Sequence, residues 1–100
     1  MFCLASRYQV SSENLTQVVQ IFKTQALPLV SRQPGFKGVY LMTKPDGEFL
    51  VLNIWDNEDQ ANAWPQHPEH QKISAQLKPM LSGAPARDGY EVGAHAVAKG

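Results

Sequence analysis

The first third of the chain has a strand-like hydrophobic pattern followed by a helical one. Residues 2–10 alternate loosely between apolar and polar side chains and include aromatic and branched residues, which predicts a first strand. A helical stripe follows the polar segment 11–13, whose side chains suit a helix N-terminus. The stripe consists of Leu15, Val18, Val19, Phe22 and Leu27. We expect this helix to kink or loosen at Pro28, which lacks an amide donor, and to end at Pro34-Gly35.

The middle of the chain predicts a β-hairpin that is apolar on both faces. Residues 36–44 and 48–56 are the second and third strands, and Pro45-Asp46-Gly47 suits the turn between them because glycine accepts a positive φ. In the third strand, one face presents Phe49, Val51 and Trp55, and the other presents Leu50, Leu52 and Ile54. A sheet with solvent on one side would be polar on that side, so we expect both faces of this hairpin to be covered by other parts of the protein or by a second copy.

The last third predicts two helices and a strand. Residues 56–64 indicate a short helix with a polar cap, which Trp64-Pro65 is expected to interrupt. A second helix is expected from Pro68 to about Leu81, because proline suits a first helical turn. Residues 82–85 are a predicted loop, and residues 90–98 are the predicted fourth strand.

The order β-α-β-β-α-β favours an α+β ferredoxin-like sandwich, with four strands on one side and helices on the other. The chain has no further element to cover the second apolar face of the sheet. Exposed, that face would exceed the few hundred Å² that soluble monomers tolerate. We therefore expect a homodimer that joins through the sheet faces.

Length and composition narrow the class of protein. One hundred residues predict a single domain over residues 1–100. Nine basic and nine acidic side chains cancel, so neither nucleic acid nor a membrane surface is an expected partner. The single cysteine, Cys3, fits a reducing compartment. The chain begins without the features of a signal peptide, and no apolar run reaches the ~20 residues of a membrane span, so a cytoplasmic location is expected.

Asn53 and Trp55 are two residues apart on one predicted strand, so their side chains share a face. An amide beside an indole suits an aromatic ligand that carries a polar oxygen. In the alternative interpretation, Trp55 is a core residue and Asn53 satisfies a neighbouring backbone group.

His70 lies on the apolar stripe of the last helix, three residues before Ile73. Burial would shift the pKa of such an imidazole, which then suits a general base. In the alternative interpretation, His70 is a structural residue that bonds a backbone carbonyl. Trp64 follows Ala61 by three residues and is expected to turn inward, as core or as cleft wall.

No metal or cofactor motif is evident. His67 and His70 form H-P-E-H, but two histidines without a third ligand are a poor zinc site, so no metal is predicted. The chain lacks a glycine-rich phosphate loop, a C-x-x-C pair and a nucleophile elbow, so nucleotide and flavin cofactors are not expected.

Several segments together resemble the antibiotic biosynthesis monooxygenase domain. They are the polar cap after strand one, QPGFKGVYLM, the PDG turn, and VLNIWDNEDQANAW with a P-x-H shortly after it. The order and spacing match over roughly residues 2–98. The resemblance implies a ferredoxin-like protomer that pairs as a dimeric α/β barrel, which accounts for the two apolar faces of the strands.

The resemblance implies several possible activities. Some members oxidise aromatic polyketides or quinols with molecular oxygen and no cofactor, whereas others degrade haem or isomerise small metabolites. The haem-degrading branch carries asparagine, tryptophan and histidine where this chain has Ser6, Trp64 and Ser74, so only the tryptophan is shared. In the polyketide-oxidising branch, strand three carries an asparagine and a tryptophan. Trp55 matches the tryptophan. The position of the asparagine is held by Val51 in this chain, and Asn53 lies on the same face two residues closer to Trp55.

The leading prediction is a cofactor-independent monooxygenase that oxidises a small aromatic molecule, quinol or polyketide-like, with molecular oxygen. The expected catalytic residues are His70 as base, Asn53 as hydrogen-bond donor to the developing anion, and Trp55 as an apolar wall. By the resemblance, His70 also matches the P-x-H histidine of quinol-oxidising and isomerising members. Ser6 and Trp64 are the expected substrate-binding residues. The alternatives are a non-catalytic dimer that binds a small ligand and a haem-degrading monooxygenase.

Overall fold

A four-stranded antiparallel sheet is the framework of the protein in the computed structural model, which describes residues 1–98. Its strands are β1 Phe2–Gln9, β2 Phe36–Thr43, β3 Glu48–Trp55 and β4 Ala86–Glu91. They lie in the order β2-β3-β1-β4, so β1 and β3 are the central strands. This arrangement confirms the predicted α+β ferredoxin-like fold. The end of the predicted domain at residue 100 lies outside the described residues.

The helices cover one face of this sheet. They are α1 Leu15–Ile21, α2 Leu27–Val30, α3 Glu58–Gln66 and α4 Pro68–Leu77. Single 3₁₀ turns precede α1 at Ser12–Asn14 and follow α4 at Lys78–Met80. Within residues 1–98, no helix has both the length and the apolar character of a membrane span.

The β2–β3 hairpin forms as predicted, with its turn at Pro45-Asp46-Gly47. The Lys44 amide donates to Glu48 O at 2.8 Å, and the Gly47 amide donates to Lys44 O at 3.0 Å. Gly47 has φ +99° and packs directly against the Val10 carbonyl. A side chain at this position would meet backbone in a strained conformation, so only glycine fits.

The predicted position of the fourth strand is wrong. The strand is Ala86–Glu91 rather than residues 90–98. It pairs antiparallel with β1, from Ala86 opposite Arg7 to Glu91 opposite Phe2. The Val92 amide still reaches Met1 O at 2.9 Å, but β1 offers no further partner beyond that point. The length of the neighbouring strand therefore sets where β4 ends.

Two predictions about helix ends need correction. The Ser11 side chain makes no capping hydrogen bond, and its carbonyl instead accepts the Asn14 amide at 2.9 Å. Trp64-Pro65 does not interrupt α3, which continues to Gln66. Pro65 removes one amide donor from the last turn of that helix, and the His67 amide still closes the turn on Trp64 O at 3.0 Å. The cap of α3 is Asn57, whose Oδ1 accepts the Gln60 amide at 2.9 Å.

The expected loosening at Pro28 takes the form of one wide helical turn. Residues Phe22–Ala26 form a π-helical turn, in which the Leu27 amide donates to Phe22 O, five residues back. Because Pro28 has no amide and its ring crowds the carbonyl of Thr24, the helix widens just before it. The inward positions are therefore Ile21 and Ala26, five residues apart.

The inner face of the sheet carries the core. Phe2, Leu4, Val51 and Trp55 are buried there, and Phe49 is 1% exposed beneath α1 and α4. Along β3 every second residue is buried, from Phe49 to Trp55. The predicted alternation of that strand is confirmed, and the structure shows that the face with Phe49, Val51 and Trp55 is the inward one.

The outer face of the sheet is apolar and has no cover from residues 1–98. Leu50, Leu52 and Ile54 are half-buried, and Tyr40 is 63% exposed beside Leu52. Tyr90 on β4 is 56% exposed next to Cys3. The two-sided apolar pattern of the strands is confirmed, and the homodimer that would cover it stays a prediction.

We expect the wild-type chain to sediment as a dimer and Leu52→Glu to sediment as a monomer. A glutamate at the centre of the outer face would have to lose its hydration in the interface, which raises the dissociation constant by about 100-fold or more. Analytical ultracentrifugation measures this shift. The control is Lys23→Glu, which places the same side chain on the exposed side of the helical layer. A monomeric wild type, or an unchanged dimer in Leu52→Glu, would contradict the expectation.

Candidate functional site

A cavity of about 40 Å³ lies between the inner face of the sheet and the helices. Its walls come from β1, β3 and β4, from the stretch that joins α1 to α2, and from α3 and α4. Ser6, Asn53, Trp64 and His70 all line it. The predicted site residues therefore converge on one cavity, with the exception of Trp55.

Ser6 and Asn53 are the polar residues buried among the apolar core in the described part of the chain. They are 3% and 7% exposed, and each occupies an inward position of a central strand. A polar group in such a place costs free energy unless it is hydrogen-bonded. Each of the two side chains has one partner.

The partner of Asn53 is the indole of Trp55. Trp55 Nε1–H donates to Asn53 Oδ1 at 2.7 Å. An indole nitrogen can only donate, so this contact assigns the oxygen of the amide to Trp55 and leaves the Nδ2 group, with two N–H donors, as the free end. Of the two interpretations of this pair, neither foresaw that the indole itself would hold the amide.

Trp55 lies one layer behind the cavity. It is 1% exposed and packs edge-on against Phe36, with ring centroids 5.6 Å apart. Trp64 is the aromatic residue that separates it from the cavity, at a centroid distance of 6.5 Å. Trp55 thus contributes to the site by orienting Asn53.

His70 enters the cavity from the first turns of α4. Its Nδ1 is 3.3 Å from Ser74 Oγ, one helical turn later, and its ring meets Trp64 edge to face at 5.1 Å. Burial, with Arg87 and His67 as smaller electrostatic causes, lowers the pKa of His70 to about 4. The imidazole is therefore neutral at neutral pH and accepts a proton or hydrogen bond through one ring nitrogen.

His67 has a structural role at the start of α4. Its Nδ1 accepts the Glu69 amide at 3.1 Å and caps that helix. Its ring packs against Trp64 at 5.6 Å but does not line the cavity. Within residues 1–98, no three His, Cys, Asp or Glu side chains are grouped as metal ligands.

Arg87 and Ser74 bring polar groups to the cavity and were not among the predicted site residues. Arg87 on β4 lies opposite Ser6, and its Nε donates to Ser6 Oγ at 3.2 Å. Ser74 lines the cavity one turn after His70. Arg87 was missed because the last strand was expected to start at residue 90, four residues after its actual start at Ala86. The spacing His70 to Ser74 was a usable signal, since residues four apart share a helix face.

The positions that distinguish the resembling branches also meet here. Ser6, Trp64 and Ser74 all line the cavity, so the three haem-branch positions share one place but lack the asparagine and the histidine. A serine hydroxyl at position 74 is not the imidazole that ligates haem iron. Val51 and Asn53 also line it together. Asn53 therefore faces the same cavity as Val51, which holds the position of the asparagine in the polyketide-oxidising branch.

The arrangement provides donors, one acceptor and apolar walls. Asn53 Nδ2, the Ser6 hydroxyl and the Arg87 guanidinium can donate to an oxygen that gains negative charge. His70 can take a proton from it. Trp64 and the aliphatic side chains around it suit an aromatic ring.

Comparison with known proteins bears on the family and the fold of this chain. The family model described as antibiotic biosynthesis monooxygenase matches residues 1–76. The uncharacterised protein YqjZ of Bacillus subtilis (strain 168) is 37% identical over 62 residues, which is 62% of this chain and 54% of that relative. The chain thus aligns with only about half the length of that curated relative.

Solved structures share the fold at low sequence identity. A candidate antibiotic biosynthesis monooxygenase from Deinococcus radiodurans has a TM-score of 0.81 at 17% identity, with both chains covered to 100%. A mutant of SnoaB, a cofactor-independent oxygenase from Streptomyces nogalater, has a TM-score of 0.77 at 15% identity, with 94% of each chain covered. Because the family model matches 76 of the 100 residues, the chain belongs to the antibiotic biosynthesis monooxygenase family.

Proposed function

We propose that this protein is a cofactor-independent monooxygenase that oxidises a small aromatic phenol or quinol with molecular oxygen. The observation that carries the proposal is the pair of Asn53 and His70 on one cavity. Asn53 keeps its N–H donors free because Trp55 holds the amide oxygen. The imidazole of His70, which lines the same cavity, is neutral and able to accept.

In the first step the substrate hydroxyl gives up its proton. When Ser74 Oγ accepts the hydrogen of His70 Nδ1, the other ring nitrogen, Nε2, is the base. The phenolate or enolate that forms receives hydrogen bonds from Asn53 Nδ2, with Ser6 as a second donor. A positioned base of this kind commonly contributes ~10²–10⁴-fold to the rate.

Oxygen then reacts with the anion. The carbanionic carbon of the substrate gives one electron to O₂, and the resulting radical pair combines to a peroxide anion at that carbon. This anion takes the proton back from His70 and becomes a hydroperoxide. The hydroperoxide then loses water, which carries away the hydrogen of that carbon, and leaves a carbonyl group. One oxygen atom is thus in the product and the other leaves as water.

The low pKa of His70 sets a condition on this mechanism. A free phenol has a pKa of about 10, so its proton would move uphill to an imidazole whose conjugate acid has a pKa of about 4. The phenolate must therefore be stabilised in place by the amide donors and by the imidazolium that forms beside it. The walls around Trp64 help because they exclude the water that would screen these interactions.

Asn53→Asp tests the donor. The substitution keeps an oxygen for Trp55 Nε1 but replaces the free N–H group by a charged acceptor that repels the phenolate. We expect kcat to fall by about 10²–10³-fold, as for the loss of one oxyanion donor. The measurement is oxygen uptake with a panel of hydroquinones, with no flavin and with metal chelated. Labelled ¹⁸O₂ should place one labelled atom in the product.

Asn57→Asp is the matched control. It makes the same chemical change at the cap of α3, outside the cavity, where aspartate caps as well as asparagine. Equal rates for Asn53→Asp and wild type would contradict the donor role. Quinol binding with no oxygen uptake in the wild type would instead support the ligand-binding alternative.

The pH dependence tests the base. Because the pKa of His70 is lowered to about 4, the imidazole is already deprotonated at pH 6. We therefore expect kcat/KM to stay level from neutral pH to about pH 5 and to fall below that as His70 gains a proton. An unshifted histidine would lose most activity by about pH 5.5.

The variants His70→Ala and His70→Gln complete this test. Both remove the base, so both should lower kcat by about 10²-fold or more and abolish the acid limb of the profile. A change in turnover of less than about threefold in His70→Ala would exclude His70 as the base. An acid limb centred near pH 6.5 would show that the imidazole is solvated during turnover.

A further inference from the structure

Arg87 brings a positive charge to a cavity that has no negative one. It is the residue of β4 opposite Ser6, and the bond from its Nε to Ser6 Oγ at 3.2 Å holds the guanidinium at the cavity. This bond uses one of the five N–H donors of the side chain. Within residues 1–98, Arg87 makes no ion pair.

The nearby carboxylates do not neutralise Arg87. No aspartate or glutamate lines the cavity. Asp88 follows Arg87 but lies opposite Ala5, on the outer face of the sheet. Glu91 is four residues along the strand, about 13 Å away, and lies 4.0 Å from the amino group of Met1. The charge of Arg87 is therefore available to a bound molecule.

The other polar groups of the cavity point to the same kind of ligand. Asn53 presents its N–H donors, and the hydroxyl of Ser6 is already an acceptor for Arg87. Donors and one cation without a carboxylate favour a ligand rich in acceptor oxygens. The planar guanidinium matches a carboxylate better than a single phenol oxygen, since it can bond both carboxylate oxygens.

We propose that the ligand of this site is an aromatic acid, whose ring lies against Trp64 and whose carboxylate pairs with Arg87. Arg87 is exposed, so the acid group would lie at the mouth of the cavity and the ring inside. The inference rests on the proposed function only in that the site binds a small aromatic molecule. It does not depend on turnover.

Binding of two matched naphthalenes tests the proposal. The probes are 5-hydroxy-1-naphthoate and its carboxamide, which have the same shape but differ in charge. We expect the wild type to bind the acid about tenfold more tightly, as for one charge-assisted contact, and the preference to weaken with added salt. In Arg87→Gln the preference should shrink to less than about twofold.

Arg7→Gln is the control for these titrations. Arg7 is on the neighbouring strand one residue past Ser6, and strand alternation turns it to the outer face. The preference for the acid over the carboxamide should therefore be retained in Arg7→Gln. Equal affinity for both probes in the wild type, or a preference retained in Arg87→Gln, would overturn the proposal and leave the proposed function standing. Failure of both probes to bind at millimolar concentration would count against both.

A second inference comes from the size of the cavity. Its volume of about 40 Å³ is far below the ~150 Å³ of an engineered cavity that takes up benzene. An aromatic ligand therefore needs one wall to move. The wall with irregular backbone is the π-helical turn and the residue after it, 22–27, which we call the strap.

The strap is tied to α4 by a reciprocal pair of amides. Gln25 Nε2 donates to Gln76 Oε1 at 3.0 Å, and Gln76 Nε2 donates to Gln25 Oε1 at 2.6 Å. Phe22, Ala26 and Leu27 on the strap line one side of the cavity, and α4 lines the side next to it. The wide turn puts Ala26 inward and leaves Gln25 at the margin, where it meets Gln76.

We infer that the strap opens the cavity and that the Gln25–Gln76 pair holds it closed. Single π-helical turns are frequent at functional sites, and Pro28 keeps this one from becoming regular. Breaking the pair should raise the open population without changing the rest of the core. Hydrogen exchange reports this opening directly and needs no ligand.

The variant Gln76→Ala removes both hydrogen bonds at once. We expect the amides of residues 22–27 to exchange about three- to tenfold faster than in the wild type, by mass spectrometry. Gln20→Ala is the control, because Gln20 is exposed on α1 and its side chain makes no hydrogen bond within residues 1–98. Exchange within twofold of the wild type in Gln76→Ala would overturn the inference, as would equal acceleration in Gln20→Ala.

Discussion

The double pairing of β3 is the constraint on which the rest of the molecule depends. The strand pairs with β1 residue for residue along its whole length, and with β2 over residues 49–55 with one irregularity between Phe36 and Gly38. A shift of one residue would exchange its two faces. Phe49 and Val51 would then leave the core, and Asn53 would leave the cavity. The fold and the site therefore share one register.

Polar groups enter this core only where a neighbour satisfies them. Asn53 and Ser6 occupy inward positions that would otherwise hold apolar side chains. Each is held by a longer residue that donates to it, Asn53 by Trp55 and Ser6 by Arg87. A single substitution at Trp55 or Arg87 would thus leave a buried acceptor without its partner. In this way neighbouring side chains determine which polar atoms of Asn53 and Ser6 remain free at the cavity.

The parts of the fold that were predicted correctly depend on local chemistry. The hairpin turn follows from Gly47, and the loosened helix follows from Pro28, because both residues restrict their own backbone. The wrong predictions concern ends. The limits of β4 depend on where β1 begins, and the length of α3 depends on how well one missing amide at Pro65 is tolerated. Neither is encoded in the residues at the boundary itself.

The sequence by itself determined the order of elements, the two apolar faces of the strands and four of the residues that line the cavity, because alternation and helical spacing assign side chains to faces. Only the tertiary structure decided that Trp55 lies behind Asn53 and that Arg87 reaches Ser6 across the sheet. The first contact links two side chains of the same strand, β3. The second links β4 to β1 and depends on the register between these two strands. The physical reason is that a pattern fixes the face of a residue, whereas its partner depends on which strand lies alongside.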